Sequence, residues 1–126
     1  MNIHITYGDH AAEGTWKFDN DTLRIIIPKL EDWREESILA THLLIEALIC
    51  RANNVLPSSM DKYAELFNRK QTSLLVGSDV DMEDEPNCPW SYEHCLARSV
   101  ERMLAAVIGV PWFDYLDSLR SAKRKP

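Results

Sequence analysis

No window of this 126-residue sequence stays apolar long enough to cross a bilayer, and its first residues, MNIHITYGDH, lack the basic-then-apolar order of a secretory signal. A cytoplasmic protein with no membrane partner is therefore expected. An even set of cysteines is also missing. Cys50, Cys88 and Cys95 cannot all pair within one chain, which points to reduced thiols rather than a disulfide framework. Nor is there a basic excess: the formal net charge is −6, which disfavours nucleic acid as the main partner. No internal repeat, low-complexity stretch or linker divides the chain, so residues 1–126 are expected to form one domain. That length can bury a core without staples.

What is present reads as α+β. Hydrophobic content of 45% and charged content of 27% are ordinary for a globular protein. NIHITY alternates, TWKFD is short and aromatic, and TLRIII is β-branched, with turn material at GDHAAEG and DND between them. These place strands within residues 1–28 as a small antiparallel hairpin or meander. A helical core of three or four helices is expected over 31–121. Asp32 followed by Glu35 suggests a capping box for the first helix, which runs to Cys50 before RANN ends it. Ser58 or Ser59 suits the cap of a second helix, MDKYAELFNRK. A long acidic loop, about 71–89, then leads to PWSYEHCLARSVERMLAAVIG, with Pro89 in its first turn and Gly109 and Pro111 at its stop. PWFDYLDSL reads as a short fourth helix, followed by a solvated basic tail, 120–126.

The stretch ATHLLIEALIC, 40–50, carries the informative chemistry. His42 and Glu46 stand four apart, on one face of a helix whose other residues are almost all apolar. A buried imidazole and carboxylate must satisfy each other, find other partners, or bind something. Cys50 lies one turn further on, partly off that line. In the third helix, His94, Arg98 and Glu101 share a face, while Leu96, Val100, Met103 and Val107 form an apolar stripe suited to the core. If the His42/Glu46 face meets the His94 face, two imidazoles and a carboxylate converge, a ligand set used by catalytic zinc with a fourth position open. The alternative is a buried polar pair in which Arg98 or Arg102 reaches Glu46 and no ion is needed.

HLLIEALIC, EPNCPWSYEH and LARSVERMLAAVIGVPW together resemble small phage and prophage proteins with a zincin-like helix. The resemblance spans residues 24–115 and lies in the order and spacing of the segments. It implies a site for zinc or a similar divalent ion made by His42, Glu46 and His94, with Asp61, Glu101 or Cys50 as orienting or alternative ligands. The sequence departs from that pattern after the first histidine, where Leu43 stands in place of glutamate, and EPN stands where EPG is expected. In zincin peptidases the glutamate deprotonates the metal-bound water, which leucine cannot do. The resemblance thus implies a phage-type accessory protein in the host cytoplasm, binding metal without catalysis and acting on a host or phage protein. A metal-dependent hydrolase using Glu101 or Asp61 as base, and a phage-encoded inhibitor of a host defence protein, are the alternatives.

Asp79, Asp81, Glu83, Asp84 and Glu85 are the candidate docking residues for a protein partner. Their alternation resembles the start of a calcium loop. The sixth position, however, is Asp84 rather than glycine, and the twelfth is Trp90 rather than glutamate. Cys50 and Cys95 read as small core residues, and Trp90, Tyr92, Trp112, Phe113 and Tyr115 as packing. His4 and His10 have no recognisable partners.

Overall fold

A computed structural model of the chain describes residues 1–9, 14–73, 82–85 and 87–124. Three strands, β1 (Asn2–Tyr7), β2 (Thr15–Asp19) and β3 (Thr22–Ile27), precede four helices. The helices are α1 (Trp33–Ala52), α2 (Pro57–Ser73), α3 (Ser91–Val107) and α4 (Trp112–Arg124), with a 3₁₀ turn at Met82–Asp84. The arrangement is α+β. Among the described residues no helix is long and apolar enough to cross a membrane.

β2 and β3 form the expected antiparallel hairpin, with Trp16 opposite Ile25 and Phe18 opposite Leu23. Its turn places Asn20 at φ 55, a left-handed conformation that asparagine tolerates. The sheet is not a meander, however. Its order is β1-β3-β2, and β1 runs parallel to β3 with Ile3, Ile5 and Tyr7 beside Leu23, Ile25 and Ile27. Alternation fixed which face of each strand is apolar but carried no information on the order of strands.

α1 is the spine of the core. Asp32 caps it, accepting from the Arg34 backbone N–H at 2.9 Å, and two acidic residues, Glu35 and Glu36, sit in the first turn, where the helix dipole favours them. The reciprocal half of the capping box does not form. The Arg34 guanidinium takes Asp32 instead, at 2.8 Å, and Glu35 turns into the protein. α1 packs on β2 and β3 and on α3, so its apolar residues are buried on several sides. Leu23, Ile25, Ile27, Ile38, Leu39, Leu43 and Ala47 are the centre of that core.

α3 runs antiparallel to α1: Asn53 bonds Glu93 at 2.9 Å at one end, and Arg34 reaches the carbonyls of Ile108 and Gly109 at 3.4 Å at the other. Gly109, at φ 78, ends the helix as expected. The inward face of α3 is not the apolar stripe. Glu93, His94, Ala97, Glu101 and Ala105 are buried, whereas Leu96, Met103 and Val107 are 37%, 62% and 77% exposed. Two alanines let the helices approach closely, and the polar residues between them find partners on α1.

Smaller expectations also change. α2 extends to Ser73, into the stretch expected as loop, and α4 extends to Arg124, so most of the basic segment is helical. Cys95 is exposed, while Cys50 and Cys88 are buried around Trp90 in a second small core. Trp90 and Tyr115 pack as expected, but Tyr92 and Phe113 are exposed.

Candidate metal centre

α1 presents Glu35, His42, Glu46 and Cys50 as buried residues at spacings of seven, four and four, and α3 answers with His94 and Glu101. His42 Nε2 lies 3.2 Å from Glu46 Oε2, and His94 Nδ1 lies 2.7 Å from the same oxygen. The two rings are 4.8 Å apart, edge to face. Trp16 Nε1, from β2, donates to the other oxygen of Glu46 at 2.8 Å. One carboxylate thus gathers groups from two helices and the sheet.

The outer contacts set the orientation of each ring. His42 Nδ1 stands 3.2 Å from Glu101 Oε1, near enough for strong attraction but without hydrogen-bond alignment for either atom. Tyr115, from α4, donates a short hydrogen bond to Glu101 Oε2. Arg98 Nη2 lies 3.3 Å from His94 Nε2. Arginine has only donors, so His94 Nε2 is the acceptor and the ring proton sits on Nδ1, directed at Glu46. Every nitrogen or oxygen facing the centre is consequently fixed: His42 Nε2, His94 Nδ1 and Glu46 Oε2.

Electrostatics follow from burial opposed by pairing. Burial works to lower the His42 pKa, but the close Glu101 carboxylate and the hydrogen bond and attraction from Glu46 outweigh it and raise the group to about 9. For Glu46 burial works upward, and contacts from His42, His94 and Trp16 hold it down at about 2. Burial first, then the neighbouring Glu101, pushes the Tyr115 phenol well above its ordinary range, so it remains a hydrogen-bond donor.

Trp16, His42, Glu46, His94 and Glu101 line a cavity of about 790 Å³ that also meets Gly14, Leu43, Met60, Arg98 and Arg120. His42, Glu46 and His94 form a buried group whose ligand atoms all lie within 4.8 Å of one another, close enough to hold a metal ion. The convergence expected of His42 and His94 is therefore present.

The other candidates lie elsewhere. Glu101 orients His42 from outside the group. Asp61 is exposed on α2 and lines the cavity without joining the three. Cys50 belongs to the second core, where burial pushes its thiol up to about 12. Arg98 touches His94 rather than Glu46, and Arg102 stacks over Trp112 instead, 5.5 Å from the ring centre. Of the acidic set, Glu83 is half-buried on the cavity wall, Asp84 ends the 3₁₀ turn and Glu85 is half-buried, whereas Asp79 and Asp81 lie outside the described residues. His10 also lies outside them, and His4 is exposed on β1.

Sequence reasoning missed Trp16 and Tyr115. Trp16 is 30 residues from its partner Glu46, and no local spacing links a strand indole to a helix carboxylate. Comparison with known proteins adds no relative: no protein family, no curated protein and no solved structure matches the chain.

Proposed function

We propose that this protein binds one divalent metal ion, zinc or a similar ion, through His42, Glu46 and His94, and that the ion serves structure or partner binding rather than peptide hydrolysis. The observation that carries the reading is the convergence of three ligand atoms from two helices on one buried point beside a cavity. In a tetrahedral zinc site, bonds of about 2.0–2.1 Å put neighbouring ligand atoms about 3.3 Å apart. The His42–Glu46 separation of 3.2 Å already has that length, and the His94–Glu46 distance of 2.7 Å needs to open modestly. Glu101 behind His42 stands where a metal-ligating imidazole usually has an orienting carboxylate; Arg98 behind His94 has only donors and cannot take that part, so the His94 ring proton must leave Nδ1 when the ion binds.

Two features favour a non-hydrolytic role. Leu43 stands where the sequence resemblance would put the peptidase base, and its side chain is committed to the core. Glu101 is a poor substitute, since one oxygen faces His42 and the other is held by Tyr115. An accessory role in a phage-infected cell remains what the sequence resemblance suggests, and the metal reading does not depend on it.

Thermal melting tests the proposal. Zinc should raise the melting temperature of untagged protein and a chelator should reverse the gain, because the unfolded chain lacks a preformed site. His42→Ala and His94→Ala should melt at one temperature with or without zinc. A zinc response retained in both variants would overturn the assignment.

A further inference from the structure

Among the described residues no strand pairs with the outer side of β1, and the geometry of that edge points to what pairs with it. β1 is an edge strand exposed along all six residues. Its backbone donors alternate. Asn2 N donates to Asp21 O at 2.9 Å and Gly8 N to Ile27 O at 3.0 Å, both toward β3. In a parallel ladder the intervening even-numbered residues face the same way, so Ile3, Ile5 and Tyr7 turn their N–H and C=O groups to the open side.

The side chains of these same three residues project on the sheet face that carries Leu23, Ile25 and Ile27. Those partners are buried beneath α1, yet Ile3, Ile5 and Tyr7 remain 43%, 50% and 57% exposed, with only the Tyr7 end of the stripe engaged among the described residues, by Glu36 at 2.9 Å and by Lys29 over its ring. Natural edge strands are commonly blunted by lysine, proline or a bulge. NIHITY contains no charged residue and no proline, and its register with β3 is continuous.

We propose that β1 pairs antiparallel with β1 of a second copy of this chain, joining two sheets of three strands into one of six. The segment is complementary to itself. With Ile5 on the two-fold axis, Ile5 faces Ile5 of the other copy, Ile3 faces its Tyr7, and His4 faces its Thr6. All outward backbone groups of the odd-numbered residues then fall in hydrogen-bonded pairs, giving about six N–H···O bonds. The apolar side chains of both copies meet on one face, between the two α1 helices, and no charge is set against a like charge. An isologous contact of this kind closes at two copies. A strand pair with one apolar stripe lies at the small end of specific interfaces, below about 1,200 Å² in total, so the dimer is reversible and concentration-dependent.

Sedimentation of the full chain over a concentration series tests this. The wild type should shift from monomer to dimer as concentration rises, and Ile5→Lys, which puts two ammonium groups on the axis, should stay monomeric. Independently, in a Cys95→Ser background, Ile5→Cys should form a covalent dimer on mild oxidation, because hydrogen-bonded antiparallel pairs set Cα atoms about 5.5 Å apart, within disulfide reach. His4→Cys should not. If Ile5→Lys fails to fold, the cross-linking pair decides alone. A wild type that stays monomeric throughout without cross-linking would overturn the proposal. So would a dimer that survives Ile5→Lys and resists cross-linking at position 5, which would place assembly on another face such as the exposed α3 stripe.

Discussion

His94 Nδ1 donates to Glu46 Oε2 at 2.7 Å, tying α3 to α1 across 48 residues of sequence at the one carboxylate that His42 also reaches. Both imidazoles are organised around that oxygen, and the Trp16 indole around the other oxygen of the same carboxylate. Without an ion, Glu46 holds the ring nitrogens and the Trp16 indole by hydrogen bonds, so the apo protein keeps the ligands gathered.

Glu46→Ala should therefore be severe even in chelator-treated protein. It leaves His42, His94 and Trp16 facing a buried void, and removing one partner of a buried ion pair typically costs about 3–5 kcal/mol. Urea unfolding measures it. Glu46→Gln keeps an acceptor for Trp16 and should cost less, while still abolishing the zinc-dependent rise in melting temperature.

Gly14 is a second sensitive point, linked to the site through Leu43. It sits at φ 78, and a Cβ there would lie 2.7 Å from Leu43 Cδ1. Gly14→Ala should destabilise by about 1–2 kcal/mol for the left-handed backbone, with a further ~1–3 kcal/mol from overpacking. In the double variant with Leu43→Ala, the costs should be less than additive, since the shorter side chain relieves the overlap and leaves only the backbone part. Full additivity in a double-mutant cycle would contradict that contact.

The pH dependence of the metal-free protein has a definite sign. His42 is raised to about 9 from an ordinary 6.5, so its contribution is complete below 6.5 and is lost as pH rises through about 9. Glu46 is lowered to about 2 from 4.5, so its contribution is complete above 4.5 and is lost as pH falls toward 2. Chelator-treated protein should accordingly draw most stability from this pair between about 4.5 and 6.5. Zinc requires deprotonated imidazoles, so the stabilisation added by zinc should instead grow as pH rises from the acid side. Paired melting curves with zinc and with chelator would show the two trends diverging; a zinc increment that shrinks from pH 5 to 7 would contradict the ligand assignment.

Zinc-loaded protein should show no peptidase activity on general protein substrates. Positioned acid–base groups contribute about 10²–10⁴-fold, and Leu43 supplies none. Metal-dependent cleavage by the unmodified protein, lost in His42→Ala, would reverse this conclusion.

The sequence made half of the centre legible and concealed the rest for physical reasons. His42 and Glu46 are visible because a helix repeats, and polar residues four apart in an apolar run must share a face. His94 was legible as one face of the third helix with Arg98 and Glu101, and its meeting with His42 rested on that stripe and on the order of segments. The buried side of α3 was misread because hydrophobicity favours Leu96, Val100, Met103 and Val107, whereas close helix packing is made by Ala97 and Ala105 and by polar residues whose partners lie on α1. Strand order suffered similarly: a parallel β1–β3 pair leaves no local trace that an antiparallel meander would lack.

The most direct test is elemental analysis of protein purified without a histidine tag, exposed to zinc and desalted, in the wild type and in His94→Ala. The account predicts close to one zinc per wild-type chain and a large loss in the variant. Wild-type protein that retains no stoichiometric metal, or a His94→Ala variant that retains as much, would contradict it.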